Sequence, residues 1–287
     1  MCDHEIKPGT GGDCYVPYEK RTGEESIVYF TRDLSPEGLR KIYRRVCANL
    51  SGKVGIKLHT GEKNGPNIIP RDWVENLIRE ELPEASIVET NTYYEGDRYT
   101  TEQHKETLKV NGWTFCPVDI MDAEGTVMLP VKNGKWFTEM SVGKTLPEYD
   151  SLLVLTHFKG HTKGGFGGSN KNIGIGCADG RIGKAMIHTT PGSDDMWDIG
   201  TEEFMERMTE SAKATVDLVY ALKEEDHRDL VERMESRHGL RQLTYMKELG
   251  MGNDKYRLIN IDNGDAEIRV EDAVANVKPF VQPGIIS

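Results

Sequence analysis

The segment from His157 to His188 reads HFKGHTKGGFGGSNKNIGIGCADGRIGKAMIH. It interleaves three histidines, four lysines and an arginine with closely spaced glycines. Imidazole carries protons or binds metals near neutral pH. Lysine supplies a fixed positive charge or, once its proton is lost, an amine nucleophile. Glycine lacks Cβ, so its backbone N–H can approach a ligand closely. Gly164, Gly165, Gly167 and Gly168 could therefore form a backbone concavity for an anion, helped by Lys159, Lys163 and Lys171. So many glycines argue against regular helix or strand in this stretch. The structural alternative is a Gly-rich turn with solvated lysines, and neither the Rossmann GxGxxG nor the Walker GxxxxGK[ST] pattern is present.

The elements before this segment must position it. SIVYFT at 26–31 has strand composition, and Ser35 with Pro36 makes a helix start ahead of Leu39, Ile42, Tyr43, Val46, Cys47 and Leu50 at helical spacing. A strand at Val54–Leu58, a helix carrying Trp73, Val74, Leu77 and Ile78, and a strand at Ser86–Glu89 follow. Thr100 with Gln103 forms a capping box for a further helix ending near Gly112. Phe115–Val118 reads as a short strand, 125–143 as antiparallel ribbon or irregular structure, and Ser151–Thr156 as a buried strand running into His157. Helical periodicity returns at Phe204, Met208, Ala212, Val216, Val219 and Leu222, then in two shorter helices ending near Gly239 and Gly250. The methionines of this stripe read as core.

Alternating strands and helices predict an α/β fold, a mostly parallel sheet with helices on both faces, with room for two subdomains and a crevice between them. The expected divisions are an irregular N-terminal arm at 1–25, an α/β domain at 26–150, the Gly-rich segment plus a helical part at 151–261, and a C-terminal tail at 262–287. Ligands of such sheets sit beyond the carboxyl ends of the strands. The residues there are His59, Thr60, Gly61 and Glu62, then Asn91, Thr92, Tyr93 and Tyr94, then Asp119 and Asp122, and last His157, Lys159 and His161. Asp119 and Asp122 could bind a cation, but DIMD followed by AEG reads as an ordinary turn.

Lys and Arg number 36 against 47 Asp and Glu, a formal charge of −11, which disfavours nucleic acid and anionic membrane surfaces as partners. No apolar run is long enough for a membrane helix or a signal peptide, so a cytoplasmic location is expected. Cys2, Cys14, Cys47, Cys116 and Cys177 are scattered without a CxxC pair. A 4Fe-4S cluster is therefore not expected from this chain's own cysteines. Cys2, His4 and Cys14 match no familiar metal spacing and read as part of the arm.

IKLHTGE (56–62), HFKGH (157–161), GGFGGSNKN (164–172), GKAMIH (183–188) and ELGMG (248–252) together resemble the domain of unknown function 362 family, over roughly residues 26–260. Its members are commonly labelled uncharacterised iron–sulfur centre proteins. Many carry a ferredoxin-like insert with two cysteine clusters, yet Thr189–Phe204 contains no cysteine. The family's Cys-Asp-Cys and Asp-Pro-Val-Ala stretches are also missing. On that resemblance a separate ferredoxin would be the electron-delivering partner. A more distant similarity joins HxxGGFGGxxK (His161–Lys171) and His188 to nickel-dependent lactate racemases. It implies an acid–base role for His161, a cofactor-linked role for Lys171 and a metal-binding role for His188. LHTG at 58–61 lacks the Asp and Arg of the racemase phosphate grip, and Tyr93 and Tyr94 stand where those enzymes have a second catalytic His.

The combined expectation is an enzyme or redox-associated protein that binds an anionic, phosphate-bearing cofactor or substrate and a divalent metal. His161 and Lys171 are its catalytic candidates. His59, Thr60, Lys159, Gly164, Gly165, Gly167, Gly168, Asn170 and Asn172 are its cofactor-binding candidates, and His157 and His188 its metal ligands. The competing readings are a non-catalytic binder of a small acidic metabolite and a ferredoxin-dependent redox module.

Overall fold

In the computed structural model of this protein the described residues are 25–47, 50–131, 135–208, 239, 241–248 and 255–275. They fall into two compact units, each drawn from separated stretches of the chain. Residues 1–24 of the expected arm at 1–25, the helical periodicity at 212–222, the short helix expected before Gly239, the motif residues 249–252 and residues 276–287 of the expected tail lie outside the described residues.

The larger unit takes in described residues 33–47, 50–131, 135–157 and 172–198. It opens with helix α1 (Pro36–Val46), whose first turn is capped by Ser35 Oγ accepting from the Gly38 amide at 3.1 Å. Strand β2 (Val54–Lys57), helix α2 (Arg71–Glu81), strand β3 (Ser86–Glu89), helix α3 (Thr101–Val110) and strand β4 (Val118–Ile120) follow. The expected capping box is present at Thr100 and Gln103, where each side chain accepts from the other's backbone amide. Strands β5 (Thr126–Pro130) and β6 (Glu139–Gly143) form an antiparallel ribbon before β7 (Ser151–Val154).

Four strands make one all-parallel sheet in the order β4-β3-β2-β7. Strand alternation splits their side chains between two faces. Ile56, Ile87 and Leu153 meet Val74, Leu77 and Ile78 of α2 and Leu108 of α3, with Leu39 and Tyr43 of α1 packed against them. On the other side Val88 packs with Met121 and Cys177. Burying each of these aliphatic side chains contributes about 1.5–3 kcal/mol. Further on, helix α4 (Ser169–Gly174) spans residues of both units, and α5 (Gly183–His188) belongs to the larger one.

In the smaller unit β1 (Glu25–Phe30) runs parallel to β10 (Lys255–Asn260), which pairs antiparallel with β11 (Ala266–Ile268). Val28, Phe30, Tyr256, Leu258, Ile268, Val270 and Ala273 form its core, the last two from helix α8 (Val270–Val274). The same unit holds the hairpin β8 (Lys159–His161) and β9 (Gly165–Gly167), helix α6 (Thr201–Glu206) and helix α7 (Arg241–Glu248). Arg241 bridges Glu206 of α6 and Glu248 of its own helix.

Three expectations change. The strand at 26–31 pairs with β10 and not with the parallel sheet that the strand–helix alternation suggested. The fourth sheet strand lies at Val118–Ile120 and not at Phe115–Val118, because it starts only beyond Pro117, which has no N–H to donate. The Gly-rich segment is regular in part, forming two short strands and two short helices.

Candidate functional site

The carboxyl ends of the parallel strands carry a buried polar network. Lys57 closes β2, and its Nζ donates to Glu89 Oε2 at 2.7 Å and to the Leu58 carbonyl at 2.8 Å. Glu89 closes β3, and its Oε1 accepts from both the amide and the hydroxyl of Thr60 at 3.0 Å. Arg98 approaches the same carboxylate at 3.8 Å and also pairs with Glu62, which accepts from the Tyr94 hydroxyl at 2.9 Å. Burial alone would raise the Glu89 carboxyl. Lys57 and Arg98 overcome that and hold it well below the usual carboxylate range.

Two further ionisable groups close the network. Lys184 of α5 donates to Thr90 Oγ1 at 2.7 Å and to the Asn91 carbonyl. Its neighbours are neutral acceptors, and burial pushes its amine down to about 7 against the pull of Asp122 and Glu89. His104 of α3 sets Nδ1 3.3 Å from Asn91 Oδ1, and burial lowers its imidazole to about 4. Asp122 accepts from the amides of Asn91 at 3.0 Å and Gly180 at 2.8 Å, so the turn that carries it ties the ends of β3 and β4 to the α5 approach. Asp119 instead accepts from Thr145 and Tyr149.

The sheet order reverses between β2 and β7, and in open α/β sheets ligand crevices lie at such a reversal. Asn172 sits across it, its Nδ2 donating to the carbonyls of Lys57 at 3.1 Å and Leu155 at 2.9 Å and to Thr156 Oγ1 at 3.1 Å. His59 and Thr60 follow β2, and His157 follows β7, so four of the expected residues share this strand end. The Thr60 carbonyl accepts from Asn111 and Trp113, which fixes the loop after β2.

His188 ends α5 with its ring stacked on Tyr93, 6.1 Å between centroids. Its Nδ1 lies 2.7 Å from the Lys184 carbonyl. A carbonyl can only accept, so Nδ1 carries a proton, and in the neutral ring Nε2 holds the lone pair. That is the tautomer a metal ligand requires. Among the described residues no group of three or more His, Cys, Asp or Glu is arranged to hold a metal ion.

The hairpin of the smaller unit has two unlike faces. Its register sets Lys159 opposite Gly167, Gly160 opposite Phe166 and His161 opposite Gly165. Alternation therefore puts Lys159 and His161 on one face, opposite glycines alone, and Phe166 on the other. Phe166 is fully buried there against Phe158, 5.4 Å between centroids. His161 Nδ1 accepts from the Gly164 amide at 3.0 Å, so its neutral ring carries the proton on Nε2, the reverse of His188. The ring lies flat on Phe204, 6.0 Å away. Gln242 of α7 fixes the turn, donating to the Gly164 carbonyl at 2.9 Å and accepting from Asn170 Nδ2 at 3.0 Å. Lys163 is buried, with its ammonium 5.2 Å from the Phe204 ring centre.

Of the residues expected from sequence, His161, Lys159, Lys171, Gly164, Gly165, Gly167, Gly168 and Asn170 thus belong to the hairpin unit. His59, Thr60, His157, Asn172 and His188 belong to the parallel-sheet unit. Lys57, Glu89, Arg98, His104, Lys184 and Gln242 were missed. The signal for the first two was present: a charged residue ends each of the otherwise apolar strands VGIK and SIVE. The described cysteines do not form a thiolate set. Cys47 and Cys116 pack on one core and Cys177 in another, and burial pushes all three thiols up.

A family model described as Domain of unknown function (DUF362) matches residues 54–233. No curated protein matches the chain. Among solved structures, the lactate racemase apoprotein from Thermoanaerobacterium thermosaccharolyticum is similar at 15% identity and a TM-score of 0.35, covering 89% of this chain and 54% of that one. The chain thus spans about half the length of that protein.

Proposed function

From the premise that the chain belongs to the DUF362 family, we propose that it binds a small anionic, phosphate-bearing molecule on the β8–β9 hairpin, where His161 handles a proton. The observation that supports this reading is the one-sided hairpin. Lys159 and His161 share a face whose opposing positions are Gly167 and Gly165, so the cation of Lys159 and the neutral imidazole of His161 lie side by side with no cross-strand side chain between them. The Gly164 amide orients the imidazole and leaves Nε2–H as the donating nitrogen, as an oxyanion-binding group needs. Lys171 adds charge to the same hairpin.

Calorimetric titration with inorganic phosphate, pyrophosphate, citrate and acetate tests the reading. Binding of at least one anion, lost in a Lys159→Ala/Lys171→Ala double variant and weakened in His161→Ala, is the expected result. No binding of any of them would overturn it.

A second reading concerns His188. Its Nε2 lone pair and His157 at the end of β7 make a divalent metal in the parallel-sheet unit the accompanying proposal. Titration with nickel or zinc followed by mass spectrometry should show a bound ion that His188→Gln loses. Retention of the ion by that variant would remove the assignment.

A further inference from the structure

Arg98 of the strand-end network has two carboxylate neighbours, and they hold it unequally. Glu89 stands 3.8 Å from Nη1, near enough for attraction but beyond hydrogen-bond reach. That carboxylate is already engaged, Oε2 by Lys57 and Oε1 by both donors of Thr60. Glu62 instead takes the guanidinium fork. Arg98 Nε donates to its Oε2 at 3.3 Å and Nη2 to its Oε1, which also accepts from the Tyr94 hydroxyl at 2.9 Å. A planar anion with two oxygens is what such a fork matches.

The partners also differ in exposure: the Arg98 side chain is 6% exposed and that of Glu62 48%. Both backbones are pinned. The Glu62 carbonyl accepts from the Gly65 amide at 2.8 Å and from Asn111 Nδ2 at 2.9 Å, and the Arg98 carbonyl from the Thr92 amide at 2.9 Å. Rotation of the Glu62 side chain into water therefore empties the fork without moving the fold. An emptied fork leaves a buried guanidinium with one distant carboxylate that is already engaged, and such a charge is costly unless another anion takes the seat. Nη1, which makes no hydrogen bond among the described residues, is a further donor for that anion.

We propose that Arg98 and Tyr94 form a binding site for a small carboxylate, which Glu62 closes from within and yields when the ligand's own carboxylate arrives. The site belongs to the parallel-sheet unit and does not depend on the hairpin reading. Glu62 sets its threshold, since a ligand must displace a carboxylate tethered to the same chain. A purely structural ion pair would respond to acetate only as it responds to any salt.

The experiment is an NMR titration of the full chain with sodium acetate, following the Nε–H resonance of Arg98. Sodium chloride at matched ionic strength controls for screening, which alone loosens an exposed pair. A saturable shift with acetate and not with chloride is expected in the wild type. Glu62→Gln keeps the size of the side chain and removes its charge, so saturation should come at least about tenfold lower in acetate, an intramolecular competitor having been removed. Adding Tyr94→Phe to Glu62→Gln removes one donor and should weaken acetate about fivefold. A wild-type resonance unmoved up to about 0.1 M acetate, or moved equally by chloride, overturns the proposal even where a variant fails to fold. Glu62→Gln binding acetate no tighter than wild type overturns the role of Glu62 as the closing group. Inorganic phosphate saturating the shift below acetate overturns the assignment to carboxylates.

Discussion

Lys57 Nζ lies 2.7 Å from Glu89 Oε2 beneath the ends of two neighbouring parallel strands, with the two side chains 1% and 4% exposed. Such a pair offsets its own desolvation only while both partners are present. Glu89→Ala strands the Lys57 ammonium and the two Thr60 donors, and is expected to cost about 3–5 kcal/mol in chemical denaturation. A Lys57→Met/Glu89→Leu double variant should recover most of that loss. A double variant as unstable as Glu89→Ala would show that Thr60 and Arg98, not Lys57, dominate the energetics of the carboxylate.

Lys184 makes stability depend on pH in a definite direction. Its folded amine titrates at about 7 against an ordinary value of 10.5, so between these limits the unfolded chain holds a proton that the native chain lacks. Stability from this residue therefore rises with pH across that window and is flat below it. Lys184→Met should remove this rise. The measurement is the difference in unfolding free energy between variant and wild type at pH 6 through 10 (roughly the window set by those two values), and a difference independent of pH would refute the assignment.

His104 shifts the acid limb in the same sense. Its folded imidazole titrates at about 4 against 6.5, so its contribution is full above 6.5 and is lost as pH falls toward 4. His104→Gln should flatten the wild-type loss over that interval, as read by melting temperature at each pH.

Gly183 opens α5 with its Cα against β6: a Cβ there would lie 1.9 Å from the Ser141 carbonyl oxygen. Gly183→Ala must therefore shift backbone, and a loss of about 1–3 kcal/mol or more is expected. A melting temperature equal to wild type would show that α5 moves freely against the ribbon.

Gln242 joins Gly164 to Asn170, both bonds being buried. Gln242→Leu leaves the buried Asn170 amide unmatched, at about 1–3 kcal/mol, while the Gly164 carbonyl keeps the Phe166 amide at 2.7 Å. Faster hydrogen exchange at the Gly164 amide, which donates to His161, is the local readout. Unchanged exchange there would separate the hairpin turn from α7.

Much of the local architecture was legible in the chain. Ser35 and Pro36 start α1, Thr100 and Gln103 cap α3, and VGIK and SIVE form the strands their composition predicts, because these choices depend on neighbours within a few residues. The chemical richness of His157–His188 was equally visible, since it needs only residue types and spacing.

What the sequence could not supply were partners distant along the chain. Nothing local tells SIVYF to pair with Lys255–Asn260, and nothing in GGFGG gives the register that sets Lys159 against Gly167. Histidine tautomers likewise follow from folded neighbours: the Gly164 amide makes Nδ1 of His161 an acceptor, and the Lys184 carbonyl makes Nδ1 of His188 a donor. The sequence by itself determined which groups are available and which short segments hold them. Only the tertiary structure decided which groups are buried together, because burial and charge pairing are properties of contacts between remote segments, and these set the state of Glu89, His104 and Lys184.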